Sequence, residues 1–277
     1  MANRQTKIGN TPIFEVKNIE EQYGLKGAFV KDESKNPSGT IKDRRNYNIF
    51  QEAHRLRVDK LVLITSGNNG YSLAQFTKHS SVKVVCIVSK DLPDEIKNAL
   101  RQVAYQVIEL NLDHKIMRPE ELIAFAREKE DEVIWEVTNG YDEYYTPIID
   151  EVFLETEPDY IIVPVGSGGI FMGLMQGIER KNKHAKIIGI GVQNTILSFA
   201  DKLSTPWTPY TKALEHYQQL GNPIYHLTES EVKNIYNLFK NVVTCEPSSS
   251  VVFAALQKHK FNQSDTVVFL NSGKALI

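Results

Sequence analysis

The feature that most constrains this chain of 277 residues is a repeated order of short β-branched run, tight turn and amphipathic stretch. Runs rich in Val, Ile and Leu at 28–31, 60–65, 83–88, 106–110, 160–165, 186–192 and 266–271 each predict a strand. Helical patterns lie between them at 43–56, 71–78, 93–105, 118–129, 144–155, 170–181, 229–240 and 251–258. In 43–56, Ile49, Ala53 and Leu56 share one face, while Arg44, Arg45 and Glu52 are expected to stay polar. Strands that alternate with helices predict an α/β fold of parallel sheets, because a parallel pair needs a long crossover and the crossover helix buries its apolar stripe on the sheet. The length suits two domains or one large α/β unit. There is no repeat at solenoid periods, no low-complexity tract and no long linker.

Composition then removes whole classes of function. Lys and Arg number 32 against 34 Asp and Glu, a formal charge of −2, so no broad basic footprint for nucleic acid or an anionic membrane is expected. Two cysteines, Cys86 and Cys245, make neither a disulfide framework nor a four-cysteine zinc site, and no metal is expected. No apolar run approaches the ~20 residues that span a bilayer. Residues 1–10 lack the charged-then-apolar order of a secretory signal, so a cytoplasmic location is the expectation.

Parallel sheets bind ligands at the carboxyl ends of their strands, where helix N-termini present unpaired N–H groups. Two turns of that kind are rich in small and polar residues: Thr65-Ser66-Gly67-Asn68-Asn69-Gly70 after the run at 60–65, and Gly166-Ser167-Gly168-Gly169 after the run at 160–165. A third segment, Asn36-Pro37-Ser38-Gly39-Thr40-Ile41-Lys42-Asp43, leads into a helix. The glycine turn suits a phosphate, since backbone N–H groups can approach an anion with a helix dipole behind them; a tight turn with nothing bound is the bland alternative. A dinucleotide fingerprint fails because Phe171 stands at its sixth position and Gln193 follows the next strand where an acid belongs. A Walker loop fails too, since Val268 replaces its first glycine and Ala275 its Ser/Thr. Lys42 opens a helix, where the positive end of the dipole favours a neutral, nucleophilic amine; an ordinary solvated first-turn lysine is the rival. Thr65 to Gly70 can hold a carboxylate and a phenolic oxygen, or Ser66 or Asn68 can simply cap a helix beginning near Tyr71.

Together the three segments resemble the fold-type II pyridoxal-phosphate enzymes, the group of threonine synthase, cysteine synthase, the serine/threonine dehydratases and the tryptophan synthase β chain. Asn36 to Arg44 is similar to the cofactor-lysine motif, Ser66 to Gly70 to the asparagine loop, and Gly166 to Gly169 to the phosphate loop, in the family's order and spacing from about Ile8 onward. The resemblance implies two three-layer α/β/α lobes with mainly parallel sheets and the cofactor, pyridoxal 5′-phosphate, in the cleft between them. The larger lobe would comprise 1–40 plus 141–277 and the smaller 41–140. It implies that Lys42 is the Schiff-base lysine and shuttles the Cα proton, that Asn68 bonds the ring oxygen, and that Gly166, Ser167, Gly168 and Gly169 bind the phosphate. Thr65, Ser66 and Asn69 would receive the substrate carboxylate, and Ser272 would face an unprotonated pyridine nitrogen. A small amino-acid substrate and a homodimer go with the resemblance; a nucleic acid or membrane partner does not.

Within the group, residues 158–169, Met172-Gly173, Gly177 and Glu246-Pro247-Ser248-Ser249-Ser250 look closer to threonine synthases, which implies elimination and replacement on an O-phosphohomoserine-type substrate. Ile8 to Pro12 and Thr65 to Asn68 resemble cysteine synthases, which implies β-replacement on O-acetylserine or O-phosphoserine. A specialised amino-acid biosynthetic relative and a non-catalytic binding relative complete the alternatives. The stretch 195–225, with His216 and Trp207, is either a loop over the site mouth or a plain surface connection.

Overall fold

The computed structural model describes residues 7–112, 116–193, 198–205 and 207–276. Among these, the strands are β1 (Ile13–Glu15), β2 (Gly27–Asp32), β3 (Lys60–Ile64), β4 (Lys83–Ser89), β5 (Gln106–Leu110), β6 (Ile134–Glu136), β7 (Tyr160–Pro164), β8 (Lys186–Val192), β9 (Ile224–Leu227) and β10 (Thr266–Asn271). They form a six-stranded sheet in the order β1-β2-β10-β7-β8-β9 and a four-stranded sheet in the order β5-β4-β3-β6. Every pairing is parallel except β1 with β2. All seven runs expected as strands form them. The three strands not expected, β1, β6 and β9, all lie at sheet edges, where a strand of three or four residues needs no continuous apolar run.

Close packing divides the chain into two units: Met1–Ile41 with Asp142–Ala275, and Lys42–Tyr141 with Leu276–Ile277. The larger unit carries the six-stranded sheet. The pleat sends alternate residues of its central strands to opposite faces. Ile162, Val267 and Phe269 join one core cluster with Phe239 and Phe253, while Ile161, Val163, Val268 and Leu270 join another with Ile149, Phe171 and Leu174. In the smaller unit, Val62, Val85 and Ile87 pack with Leu122, Ala126 and Ile134. Leu61, Leu63 and Cys86, of opposite parity, are fully buried as well. Both sheets are therefore covered on both faces, as parallel sheets must be.

The helices shift where local chemistry overrides the apolar pattern. The helix Lys42–Arg55 buries Ile49 and Ala53, but Leu56 lies beyond its end and is 47% exposed. Arg44 and Arg45, expected to face solvent, are only 4% and 3% exposed. The helix Asn68–Thr77 begins three residues before the expected start, with Gly67 at the N-cap and no side-chain cap, so neither Ser66 nor Asn68 plays the capping role. The expected helix 93–105 shortens to Asp94–Arg101, and 251–258 divides into a 3-10 turn, Val251–Ala254, and one α turn, Ala255–Lys258. Lys17–Tyr23 and Thr211–Gln219 are helices that the periodicity did not show.

Two carboxylates tie stability to acid. The Glu231 carboxyl is held down to about 2 by the Lys258 ammonium and the Thr228 N–H, and that of Glu132 to about 2 by the Glu128 N–H and Lys60. A carboxyl with a lowered folded-state value favours the folded chain above its ordinary value of 4.5 and loses that contribution as pH falls toward 2. Urea midpoints are expected to drop between pH 4.5 and 2, with a shallower drop in Glu231→Gln; an equal slope in that variant would remove Glu231 from the account.

Candidate functional site

In the larger unit the glycine turn follows β7, beside the carboxyl end of its parallel neighbour β10. Gly168 is the N-cap of the helix Gly169–Lys181, at φ +95. An L side chain rarely adopts that φ, which is why glycine stands there. A glycine N-cap offers no capping side chain of its own, and backbone N–H groups at such a helix start suit an anionic ligand. The turn is covered from one side by Lys202, Leu203, Tyr210 and Leu214. A Cβ at Gly166 would lie 3.2 Å from the Lys202 carbonyl oxygen, and one at Gly168 3.1 Å from Leu214. Thr208 donates its hydroxyl hydrogen to the Ser167 carbonyl, and Lys202 N–H donates to Ser248 Oγ at 3.1 Å. Within 195–225, Lys202, Leu203, Thr208, Tyr210 and Leu214 thus pack on or bond to the turn or its neighbours, while 195–197 and 206 lie outside the described residues.

Ser272 follows β10 and is 8% exposed. Its carbonyl accepts the Ile41 N–H at 2.8 Å, and Thr40 forms a bridge with Gly273. The backbone immediately before Lys42 is thereby fixed against the end of β10. The Ser272 hydroxyl lies 2.8 Å from Ser249 Oγ, which also reaches the Gly273 carbonyl at 3.0 Å. A carbonyl only accepts, so both contacts are satisfied together when Ser249 donates to Gly273 and Ser272 donates to Ser249. Either hydroxyl can donate in the Ser249–Ser272 contact, so when Ser249 turns its proton to Ser272 the Ser272 proton is left for an accepting ligand atom.

In the smaller unit Lys42 is the first residue of its helix and half-buried. The asparagine loop folds on itself: Thr65 Oγ1 accepts the N–H groups of Gly67 and Gly70, both at 3.0 Å. Thr65 therefore closes the loop and keeps only its hydroxyl proton for a ligand. Ser66 and Asn69 are half-buried and Asn68 is buried at the helix start. Asn69 is held by the helix of Lys42: Arg45 Nη1 donates to its Oδ1 at 3.2 Å and Asn46 Nδ2 to its carbonyl at 2.9 Å.

The structure thus sets Gly166, Ser167, Gly168, Gly169 and Ser272 at neighbouring strand ends of one unit, and ties the 65–70 loop to the Lys42 helix in the other. The sequence reading missed Arg45, Asn46, Thr208 and Ser249. Positions 45 and 46 stand three and four residues after Lys42, hence on its helix face, which is a signal the sequence did carry. A polar hollow of about 210 Å³ lined by Asp59, Lys60, Ser81, Lys83, Lys129, Asp131 and Glu132 contains none of the expected site residues. Among the described residues there is no acidic, histidine or cysteine group of metal-binding geometry, and no helix is long and apolar enough to cross a membrane.

Comparison with known proteins bears on these arrangements. The family profile described as "pyridoxal-phosphate dependent enzyme" matches residues 4–273. A cystathionine beta-synthase of Apis mellifera is 27% identical over 69% of the chain, and the chain spans 41% of the length of that relative. A threonine synthase of Methanocaldococcus jannaschii is 30% identical, covering 90% of the chain and 69% of the relative. Among solved structures, an O-acetylserine dependent cystathionine beta-synthase from Helicobacter pylori superposes with a TM-score of 0.83 at 19% identity, covering 99% of this chain and 97% of that one, which shows a common fold.

Proposed function

The chain belongs to the pyridoxal-phosphate dependent enzyme family, and from that premise we propose that it catalyses elimination and replacement on the side chain of a small amino acid, in the manner of a threonine synthase. The family's cofactor is pyridoxal phosphate, and the residues present fit it: a glycine-lined helix start suits its phosphate, and a lysine at the first position of another helix suits its aldehyde. When bound, the group supplies an electron sink that acidifies the substrate Cα–H.

The chain's own residues would then divide the work. The N–H groups of 166–169 bind the phosphate, with the helix dipole behind them. Lys42 would be the residue that holds the group's aldehyde end, and its Nζ would carry the proton taken from and returned to the substrate Cα. Asn68 bonds the ring oxygen and Ser272 meets the ring nitrogen. The hydroxyl protons of Thr65 and Ser66 and the Asn69 amide receive the substrate carboxylate. For a leaving group at Cγ a second deprotonation is required, again at the Lys42 amine.

The observation that carries the threonine-synthase reading is the Methanocaldococcus relative, the one with 30% identity over 90% of this chain. A second reading, β-replacement on O-acetylserine or O-phosphoserine, is supported by the cystathionine beta-synthase relatives and by a cysteine synthase of Helicobacter pylori, 26% identical over 70% of the chain. Absorbance titration of the holoenzyme with O-phosphohomoserine, O-acetylserine, O-phosphoserine, serine and threonine separates them. A response to O-phosphohomoserine is expected. A lasting spectral change with serine derivatives alone would replace the first reading with the second. A colourless protein that takes up no added pyridoxal phosphate would leave a non-catalytic relative.

A further inference from the structure

A carboxamide has one accepting and one donating end, and its neighbours decide which end faces a ligand. At Asn69 the deciding neighbour is Arg45. A guanidinium can only donate, so the amide atom 3.2 Å from its Nη1 is the oxygen, and the amide presents its NH2 on the other side. The main chain of residue 69 is held separately. Asn46 Nδ2 donates to the Asn69 carbonyl at 2.9 Å and to Ser72 Oγ at 3.0 Å, and Ser72 donates to Asp43 Oδ1 at 2.6 Å. Both ends of Asn69 are thus clamped by consecutive residues of the Lys42 helix. Arg45 and Asn46 are 3% and 0% exposed, while Asn69 is only half-buried, so the clamping residues lie deeper than the residue they hold.

Arg45 itself is fixed by groups that leave its charge in place. Its Nη2 donates to the Val137 carbonyl at 2.7 Å, and its guanidinium carbon lies 5.6 Å from the centre of the Tyr141 ring. Its Nε is buried with no hydrogen-bond partner, a cost that a residue serving packing alone would not need to carry. The buried guanidinium thus lies beside the 65–70 loop, with the Asp43 carboxylate in the same hydrogen-bonded network.

We propose that Arg45 is the positioning residue that turns the donor side of the Asn69 amide toward the substrate carboxylate, and so makes this loop select amino acids over amines. The inference rests on the proposed carboxylate role of Asn69. It predicts that the selectivity disappears when Arg45 does, because a released amide can rotate and present its oxygen, which repels a carboxylate.

The test uses the holoenzyme and two ligands that differ only in the carboxylate, L-serine and ethanolamine, titrated by the cofactor absorbance. Arg45→Met is expected to weaken L-serine about 10-fold or more, the loss of one charge-assisted contact, while ethanolamine changes by less than about twofold. Asn69→Ala, which leaves the buried arginine in place, is expected to give the same selective loss, and the double variant is expected to lose no more than either single one. Arg45→Lys retains a donor and should recover part of the affinity. Equal weakening of both ligands would make Arg45 merely structural and overturn the inference, as would unchanged affinity for L-serine in Arg45→Met and Asn69→Ala. Wild-type protein that binds no pyridoxal phosphate would overturn the functional reading and this inference with it.

Discussion

Lys42→Ala is expected to abolish covalent cofactor attachment and to lower turnover by about 10³-fold or more, the range for losing a positioned acid–base group. The wild-type protein, loaded with pyridoxal phosphate and reduced with borohydride, should carry one fixed cofactor on the peptide containing Lys42; the alanine variant should carry none. The position itself gives the reason. The backbone leading into Lys42 is fixed by the Ile41 N–H to the Ser272 carbonyl and by the bridge of Thr40 with Gly273. The lysine then occupies the first position of a helix. Lys31 bonds Glu151 and the Thr11 carbonyl, and Lys60 bonds Glu132 and the Ala126 carbonyl, each almost wholly buried. Borohydride-fixed cofactor on any of these in Lys42→Ala would overturn the assignment. The variant should stay folded, since a half-buried first-turn lysine contributes little packing, and circular dichroism checks that independently of colour.

How far the sequence alone reaches is clear from individual residues. β7, β10 and the turn at 166–169 are written locally, in apolar runs that end in glycines whose freedom the turn needs. The central strands are read for the same reason: each is a continuous apolar run because both faces are covered. The edge strands β1, β6 and β9 are not, since Ile13-Phe14-Glu15 has no local pattern to separate it from a loop. Arg45 looks like a solvent-facing residue in its helical pattern. Its burial depends on Asn69, Val137 and Tyr141, which lie 24, 92 and 96 positions away and which no periodicity connects. The pairing of Ser249 with Ser272 is of the same kind, as is the cover that Lys202, Leu203, Tyr210 and Leu214 place on the glycine turn. Local chemistry is legible in the sequence; polar contacts between distant segments become legible only once the sheets bring those segments together.

Gly173→Ala is expected to destabilise the larger unit by about 3 kcal/mol or more, at the severe end for overpacking, and to weaken cofactor binding with it. Glycines at 169, 173 and 177 recur every four residues and so share one face of the helix Gly169–Lys181. That face lies against the segment that begins with the 3-10 turn Asp142–Tyr145. A Cβ at 173 would sit 2.3 Å from the Asp142 carbonyl oxygen and 2.8 Å from Tyr145 Cβ. One at 177 would sit 2.7 Å from Ile149 Cγ1. A Cβ has no rotamer, so the clash at 173 is relieved only by moving backbone, and the helix must lift from the turn. In isolation the same change would favour the helix by about 1 kcal/mol, because alanine is the better helix former; the two effects have opposite sign and the clash is the larger. Lifting the helix also displaces its first turn, where the proposed phosphate contacts lie, so the affinity for pyridoxal phosphate should fall alongside the urea midpoint. Gly140→Ala is the control. Its φ of +83 strains any side chain, but no atom lies within 4 Å of the added Cβ, so it should cost only about 1–2 kcal/mol. A Gly173→Ala protein within about 1 kcal/mol of wild type would show that the helix can dock without the close approach, and that the glycines at 169 and 177 are not needed for packing either.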